Sequence, residues 1–296
     1  MTSLRSLQQL QQLIANQPSV IIAMGRWANC LLGFCQRGSD TRTIATVRTS
    51  RPLPYLYRRS IRQADAVLAN SHWALQSALH TSRRTQDTTT AVIHNALSRP
   101  ELLQIDPSDK VAAKRAIGLD PANKLLLSVA RLDSGKGQGD LIRLMTLPSA
   151  HKRKLILLGE GPESKRLQAL AHSLGIAQDV NFAGFCENSR AYYAAADLFV
   201  SASALDSLPN ALIEAHAAAL PVIAYPTAGI PEIVDDGQTG HLVAHGDIAT
   251  MHRQVENLLS HPSNAAAMAC AARQSAIEHF DPRQQIEITI RFIQQL

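Results

Sequence analysis

The stretch Ser201-Ala-Ser-Ala-Leu-Asp206-Ser-Leu-Pro-Asn-Ala-Leu-Ile-Glu214-Ala-His-Ala-Ala-Ala-Leu-Pro221-Val-Ile-Ala224 decides the fold of this 296-residue chain. It reads as a strand end, a short loop, a helix, a one-residue break and another strand. Ser207 is a candidate helix cap, and Pro209 suits a first helical turn, where its missing N–H is no loss. Leu220-Pro221 stops the helix, and Val222-Ile-Ala begins the next strand. Asp206 is therefore expected in the loop at the helix mouth. Glu214 falls about one and a half turns inside, leaning back toward the same mouth. The backbone N–H groups from Asn210 and Ala211 onward favour an anion there. By themselves the two acids also read as a cap and an exposed helical Glu. Beside an anion-binding helix end they suit a ligand carrying both phosphates and hydroxyls, as a nucleotide sugar does.

Outward from that stretch, strands and helices alternate. In the first third, strands are expected at Ser19–Met24, Thr43–Val47, Asp65–Ala69 and Thr89–Ile93, after a helical stripe through Leu4, Leu7, Leu10 and Leu13. Asn70-Ser71 is placed to cap a helix running to about Leu79. Ser98–Asp109 holds two prolines and little periodicity, so the domain link is expected there. A second series follows, with strands at Leu125–Ala130, Leu155–Leu158, Asn181–Ala183, Leu198–Ser201, Pro221–Ala224 and His241–Val243. Helices lie between them at Gln138–Met145, Glu163–Leu174 and Ser189–Ala196, and three more close the chain. Such alternation predicts parallel βαβ units in two doubly wound α/β domains, with ligands beyond the carboxyl ends of the strands. The divisions expected are 1–105, 106–280 and a terminal helix over 281–296 that returns toward the first domain.

Composition narrows the class. Ala, Leu, Ile and Val are plentiful, as helix-covered parallel sheets require. The four cysteines, Cys30, Cys35, Cys186 and Cys270, have no C-x-x-C spacing, which fits a reduced cytoplasmic protein. No apolar run approaches the roughly 18 residues of a membrane span. The net charge of +5 is divided unevenly: residues 1–108 hold 12 Arg, no Lys and 5 acids, for +7, leaving −2 for the rest. The first part is thus expected to meet something anionic, an acceptor or a membrane surface. Nucleic acid is not expected, since no stacking-aromatic or zinc-finger pattern accompanies the charge.

Two further stretches carry chemistry. In Leu125-Leu-Leu-Ser-Val-Ala-Arg131-Leu-Asp-Ser-Gly-Lys136-Gly137-Gln-Gly139-Asp, a buried strand is expected to end in Arg131. A glycine-rich loop then carries Lys136 to a helix start. Two cations at one strand end suit a diphosphate, although the glycines alone would mark only a tight turn. This is not a P-loop, because Gly-x-x-x-x-Gly-Lys-Ser/Thr is absent. The other stretch is Thr227-Ala-Gly229-Ile-Pro231-Glu232-Ile-Val-Asp-Asp236-Gly-Gln-Thr-Gly240-His-Leu-Val243, with a turn, a short helix at Pro231 and a hairpin-like return.

Taken together, Arg131…Lys136-Gly137, Asp206-x7-Glu214, Gly229–Glu232 and Asp236–Val243 resemble the donor-binding domain of glycosyltransferase family 4, of the GT-B fold with two Rossmann-like domains. The resemblance covers about residues 92–296. It implies a retaining transferase that uses a nucleoside-diphosphate sugar, UDP-linked, without a cofactor, and passes a hexose to a glycan or lipid-linked acceptor. A lipopolysaccharide core is one such acceptor. It further implies that Asp206 holds the hexose, that Glu214 binds the ribose, and that Arg131 and Lys136 steady the departing diphosphate. Gly137, Ser207, Leu208, Pro209, Asn210 and Ala211 would line the donor site, and the backbone after Gly184-Phe185 would meet the base. Three positions depart from the family. Asp206 stands for the usual Glu, Ser207 for a Gly, and Ala219 for a Gly before Leu-Pro, this last expected to affect packing alone.

The first part resembles the family more weakly, through Asp65–Ser71 and Val92–Asn95. What precedes these stretches is short, so an incomplete N-terminal domain is expected, either truncated or reduced. A chain that binds a nucleotide sugar without transferring it, and a nucleotide-sugar epimerase, are the alternatives. The acceptor side is expected at Gly25, Arg26 and Arg48, which otherwise read as loop residues with solvated arginines. Arg58, Arg59 and Arg62, with Tyr55, Leu56 and Ile61, make a basic amphipathic turn suited to an anionic membrane. No metal site is expected. His241 and His245 flank a strand end rather than share a helical face, and no Asp-x-Asp triplet occurs.

Overall fold

A computed structural model describes residues 19–34, 41–83 and 89–296. The helical stripe expected at Leu4–Ile14 lies outside them. Two compact units result: residues 1–95 with 283–296, and residues 96–282.

The first unit holds a parallel sheet of β1 (Val20–Ala23), β2 (Arg42–Val47), β3 (Ala66–Ala69) and β4 (Thr89–Val92), ordered as in the chain. Successive crossovers all step the same way, and right-handed connections then put their helices on one face. These are α1 (Arg26–Leu32), α2 (Tyr55–Gln63) and α3 (His72–Ser82). Side chains alternate accordingly. Ala45, Val47, Val67 and Ala69 pack with Cys30, Tyr57, Ile61 and Ala78 of those helices. On the opposite face Ile44, Ala66 and Leu68 pack with Phe292 and Ile293 of the terminal helix (Pro282–Gln294). Ser71 caps α3 as expected, its hydroxyl accepting from the Ala74 N–H. Two helices appear where only a loop and a turn were expected. Of these, α2 buries Ile61 in the core while Tyr55 and Leu56 stay exposed.

The second unit begins with 3-10 turns at Pro100–Gln104 and Pro107–Asp109 and the helix α4 (Lys110–Ala116). Residues 98–109 therefore belong to this unit; Leu102 and Ile105 are buried in its core. Its strands are β5 (Lys124–Val129), β6 (Arg153–Leu158), β7 (Val180–Gly184), β8 (Leu198–Ser201), β9 (Val222–Ala224) and β10 (Gly240–Leu242). Their order is β10-β9-β8-β5-β6-β7, all parallel. The helices between them are α5 (Gln138–Leu144), α6 (Ser164–Ser173), α7 (Arg190–Ala195) and α8 (Asn210–Ala217), followed by α9 (Ile248–Ser260) and α10 (Pro262–His279). Alternate residues of one strand feed the two faces. Leu125 and Leu127 pack with Tyr193, Leu212 and Ile213, whereas Leu126 packs with Leu141, Leu167 and Val255. Both faces are covered, as a buried parallel sheet requires. The order in which strands are added reverses at β5, which has β6 on one side and β8 on the other, so a crevice opens beyond the carboxyl ends of β5 and β8. Among the described residues no helix is long and apolar enough to cross a membrane.

Helix α8 differs at both ends from its expected form. Pro209, not Ser207, occupies the cap position, and its ring makes no cap hydrogen bond. At the other end the break spans residues 218–221. Ala219 adopts a left-handed φ of 52°, its N–H bonds the His216 carbonyl, and Leu220 N–H bonds the Ala215 carbonyl. This is a Schellman closure, in which glycine is the usual residue. The Ala219 departure is therefore a matter of backbone strain, not of packing alone. Ala219→Gly should raise unfolding stability by about 1 kcal/mol in urea denaturation; an unchanged or lower value contradicts the strain.

Candidate functional site

The candidate donor site is built on the loops that follow β5 and β8. Strand β5 stops at Val129, two residues before the expected end at Arg131. Arg131 sits in the loop, exposed, and its guanidinium has no hydrogen-bond or ion-pair partner among the described residues. The Gln138 amide holds this loop by donating to the Arg131 carbonyl (3.0 Å). A 3-10 turn at Ser134–Lys136 then leads to Gly137, whose φ is 69°. A Cβ on Gly137 would lie 1.9 Å from the Ala202 carbonyl oxygen, so only glycine permits this approach of the two loops. Ala204 N–H bonds the Gly135 carbonyl (2.9 Å) and completes the contact.

This contact delivers Lys136 to Asp206. Lys136 Nζ lies 2.7 Å from Asp206 Oδ2, with each side chain 20% exposed, and 3.3 Å from the Leu205 carbonyl. The shorter Asp side chain thus meets a cation at full hydrogen-bonding contact. Ser207 and Leu208 are buried behind it, while Asn210 is exposed at the helix start and Pro209 and Ala211 are half-buried.

Glu214 lies on the second turn of α8 and is 8% exposed. Ser98 Oγ donates to its Oε1 (2.8 Å), Tyr193 OH to its Oε2 (2.9 Å), and Arg99 Nε is 3.7 Å from Oε1. Burial first, then the Glu214 charge and its hydrogen bond, push the Tyr193 hydroxyl well above its usual range, so it stays protonated as a donor. Ser98, Arg99 and Tyr193 were not anticipated from the sequence. The first two lie in the stretch read as a linker, and all three act on Glu214 from far along the chain.

Arg131, Glu214, Arg99, Phe185 and Glu160 line one cleft of about 360 Å³. Phe185 is 74% exposed at its rim, and its N–H donates to Glu160 Oε1 (3.3 Å). Lys136 and Asp206 are not among the residues lining that cleft, and Gly137 lines another cavity with Asp133 and Gln138. In the first unit, Gly25, Arg26 and Arg48 come together with Thr46 and Tyr57 around a cavity of about 210 Å³. Arg26 donates to the Pro52 carbonyl and Arg48 to Asn95 Oδ1. Burial pushes the Tyr57 hydroxyl up to about 12. His241 faces Asp236, and the His245 ring packs on Tyr225, so the two histidines have separate partners.

Residues 109–275 match the family model described as Glycosyl transferases group 1. The chain belongs to this family. Among group 1 relatives it is similar to N-acetyl-alpha-D-glucosaminyl L-malate synthase of Bacillus anthracis, 29% identical over 80% of this chain and 62% of that protein. It is also similar to the GDP-mannose-dependent alpha-(1-6)-phosphatidylinositol monomannoside mannosyltransferase of Mycolicibacterium smegmatis, 33% identical over 60% of this chain and 49% of that one. The chain thus spans about half to three-fifths of the length of these curated relatives. Its fold is that of HepE of Anabaena, solved in complex with UDP, at a TM-score of 0.88 and 22% identity, covering 98% of this chain and 82% of that one. The group 1 fold, GT-B with two Rossmann-like domains, is the fold expected.

The helix that positions Glu214 also carries His216, which is fully buried, and neither ring nitrogen has a hydrogen-bond partner among the described residues. Burial lowers its pKa to about 4. Below about pH 6.5 the unfolded chain takes up a proton that the folded chain refuses, so stability is complete above that pH and falls as pH drops toward 4. The loss by pH 4 should be on the order of 3 kcal/mol. Urea denaturation at pH 7 and pH 4.5 should show a smaller loss for His216→Leu than for the parent chain; equal losses contradict the assignment.

Proposed function

We propose that this chain is a retaining glycosyltransferase of family 4, moving a hexose from a nucleoside-diphosphate sugar, UDP-linked, to a glycan or lipid-linked acceptor. The observation that carries this reading is the cleft beyond the carboxyl ends of β5, β6 and β7, lined both by Arg131, whose guanidinium has no partner among the described residues, and by the buried Glu214 carboxylate. A ribose offers hydroxyls to Glu214, which Ser98 and Tyr193 hold in place. The diphosphate offers charge to Arg131. A relative whose name specifies a GDP-mannose donor, and a fold shared with a UDP complex, support a nucleotide-sugar donor here.

In this reading Lys136 and Asp206 part when donor enters. Lys136 turns to the diphosphate and Asp206 accepts hydroxyls of the hexose, each exchanging one polar partner for another. As the bond from the sugar's anomeric carbon to phosphate breaks, negative charge gathers on the departing oxygen. Arg131 and Lys136, on a loop whose backbone the Gly137 contact holds in place, stabilise it. Two cations supply that charge, so the reading requires no metal or other cofactor. Orientation of the acceptor hydroxyl supplies much of the remaining rate.

The first unit's excess of arginine supports an anionic acceptor, such as a lipopolysaccharide core or another surface glycan, or an anionic membrane at the cytoplasmic face. Arg59 stacks on the exposed Phe34 (5.4 Å), and Trp27 nearby in sequence is 81% exposed, a combination suited to a membrane interface. Gly25, Arg26 and Arg48 are the acceptor-side residues.

The test incubates the purified chain with UDP-sugars and a phosphorylated glycan extract, following transfer by mass spectrometry. Transfer is expected. Glu214→Ala should weaken UDP binding roughly tenfold to a hundredfold, and Lys136→Ala should lower turnover roughly a hundredfold with a smaller loss of donor affinity. Donor binding without transfer, unrestored by Asp206→Glu, would instead identify a non-catalytic nucleotide-sugar-binding protein.

A further inference from the structure

The second unit has another cavity, at the opposite end of its sheet from the Arg131 cleft. It is bounded by the first residues of β5 and β8, Lys124 and Leu198, and by the residue before β9, Pro221. Its volume is about 350 Å³. Glu214, Arg131 and the other residues assigned to donor lie elsewhere.

The charged lining of this cavity is mostly cationic. Lys110, Lys124 and Arg273 line it with a single acid, Asp197. That acid is already engaged: Oδ2 accepts from Lys114 Nζ and from Leu125 N–H, both at 2.7 Å. Lys110 Nζ stands 3.6 Å from the remaining oxygen, beyond a good hydrogen bond. Burial pulls the Lys110 ammonium below its usual range, with the Asp197 charge opposing the shift. Lys124 Nζ has no hydrogen-bond or ion-pair partner among the described residues. Arg273 is held by two carbonyls, donating from Nε to Ala217 (3.1 Å) and from Nη2 to Ile105 (2.6 Å), and Asp106 is the acid near enough to feel it. Four cations, Lys114 included, thus face two acids, leaving a local charge of +2. The aliphatic lining includes Leu258 of α9 and Ala269 of α10, the helix that also carries Arg273 one turn on. A cavity lined by both cations and aliphatic side chains calls for a ligand with both characters.

We infer that this cavity binds a small amphipathic anion, a short aliphatic chain ending in a carboxylate or phosphate. The anionic head meets Lys110 and Lys124, and the tail lies along Leu258 and Ala269. The site is separate from the donor cleft, so it stands whether or not the chain transfers sugar.

The test titrates the whole chain with octanoate and with octyl phosphate by isothermal calorimetry, using 1-octanol as the uncharged control. Saturable one-to-one binding of at least one anion is expected, with no saturation by octanol and no displacement by UDP. Lys124→Met, which removes a half-buried cation and leaves the fold alone, should weaken binding roughly tenfold. Ala269→Phe, with folding checked by circular dichroism, should fill the cavity and abolish it. The inference is overturned if neither anion binds, if octanol binds as well, if UDP displaces the anion, or if Lys124→Met leaves affinity unchanged.

Discussion

Everything at the candidate donor site depends on one steric allowance, the absence of a side chain on Gly137. There the loop after β5 presses its backbone against the Ala202 carbonyl at the end of β8, at a distance no Cβ could tolerate. The two loops close on each other where the strand order reverses, and Lys136 is carried onto Asp206. In an open doubly wound sheet this is where helix starts and strand ends gather. A residue larger than glycine would push the loops apart and separate the cation from the acid.

Behind that contact, α8 does two jobs with one helix. Its first turns present Glu214, gripped on both oxygens by Ser98 and Tyr193. Its remainder is buried among alanines, with His216 unpaired and a left-handed Ala219 closing it. The helix spends stability at its rear while holding its carboxylate in a fixed position at the front. This division agrees with a site that must be preorganised, since a carboxylate already oriented by neutral donors need not be reordered when hydroxyls arrive.

Much of this was legible in the sequence, and what was missed shares a physical cause. Strand β8 was read at its observed limits, Leu198–Ser201, because a short apolar run between a helix and a Ser/Asp loop has few other readings. Asp206, Glu214, Arg131 and Lys136 stood out because charge at strand ends and helix starts is local in the chain. The helix at Tyr55–Gln63 was hidden because three arginines mask a narrow buried stripe of Tyr57, Ser60 and Ile61. Residues 98–109 read as a linker because Leu102 and Ile105 find their partners only in the folded core, and Ser98 and Arg99 find theirs 116 and 115 positions away at Glu214. The Ala219 strain was likewise invisible until the Schellman bonds fixed its φ. Local charge and periodicity were readable; partners brought together by folding were not.

The central claim is that Glu214 receives a ribose while Arg131 and Lys136 receive a diphosphate. A crystal structure of the chain with UDP tests it most directly. The account predicts ribose hydroxyls within hydrogen-bonding distance of Glu214, phosphate oxygens on Arg131 and Lys136, and Lys136 drawn away from Asp206. UDP bound with its phosphates remote from both cations, or with Glu214 still closed on Ser98 and Tyr193 and touching no ribose oxygen, would contradict it.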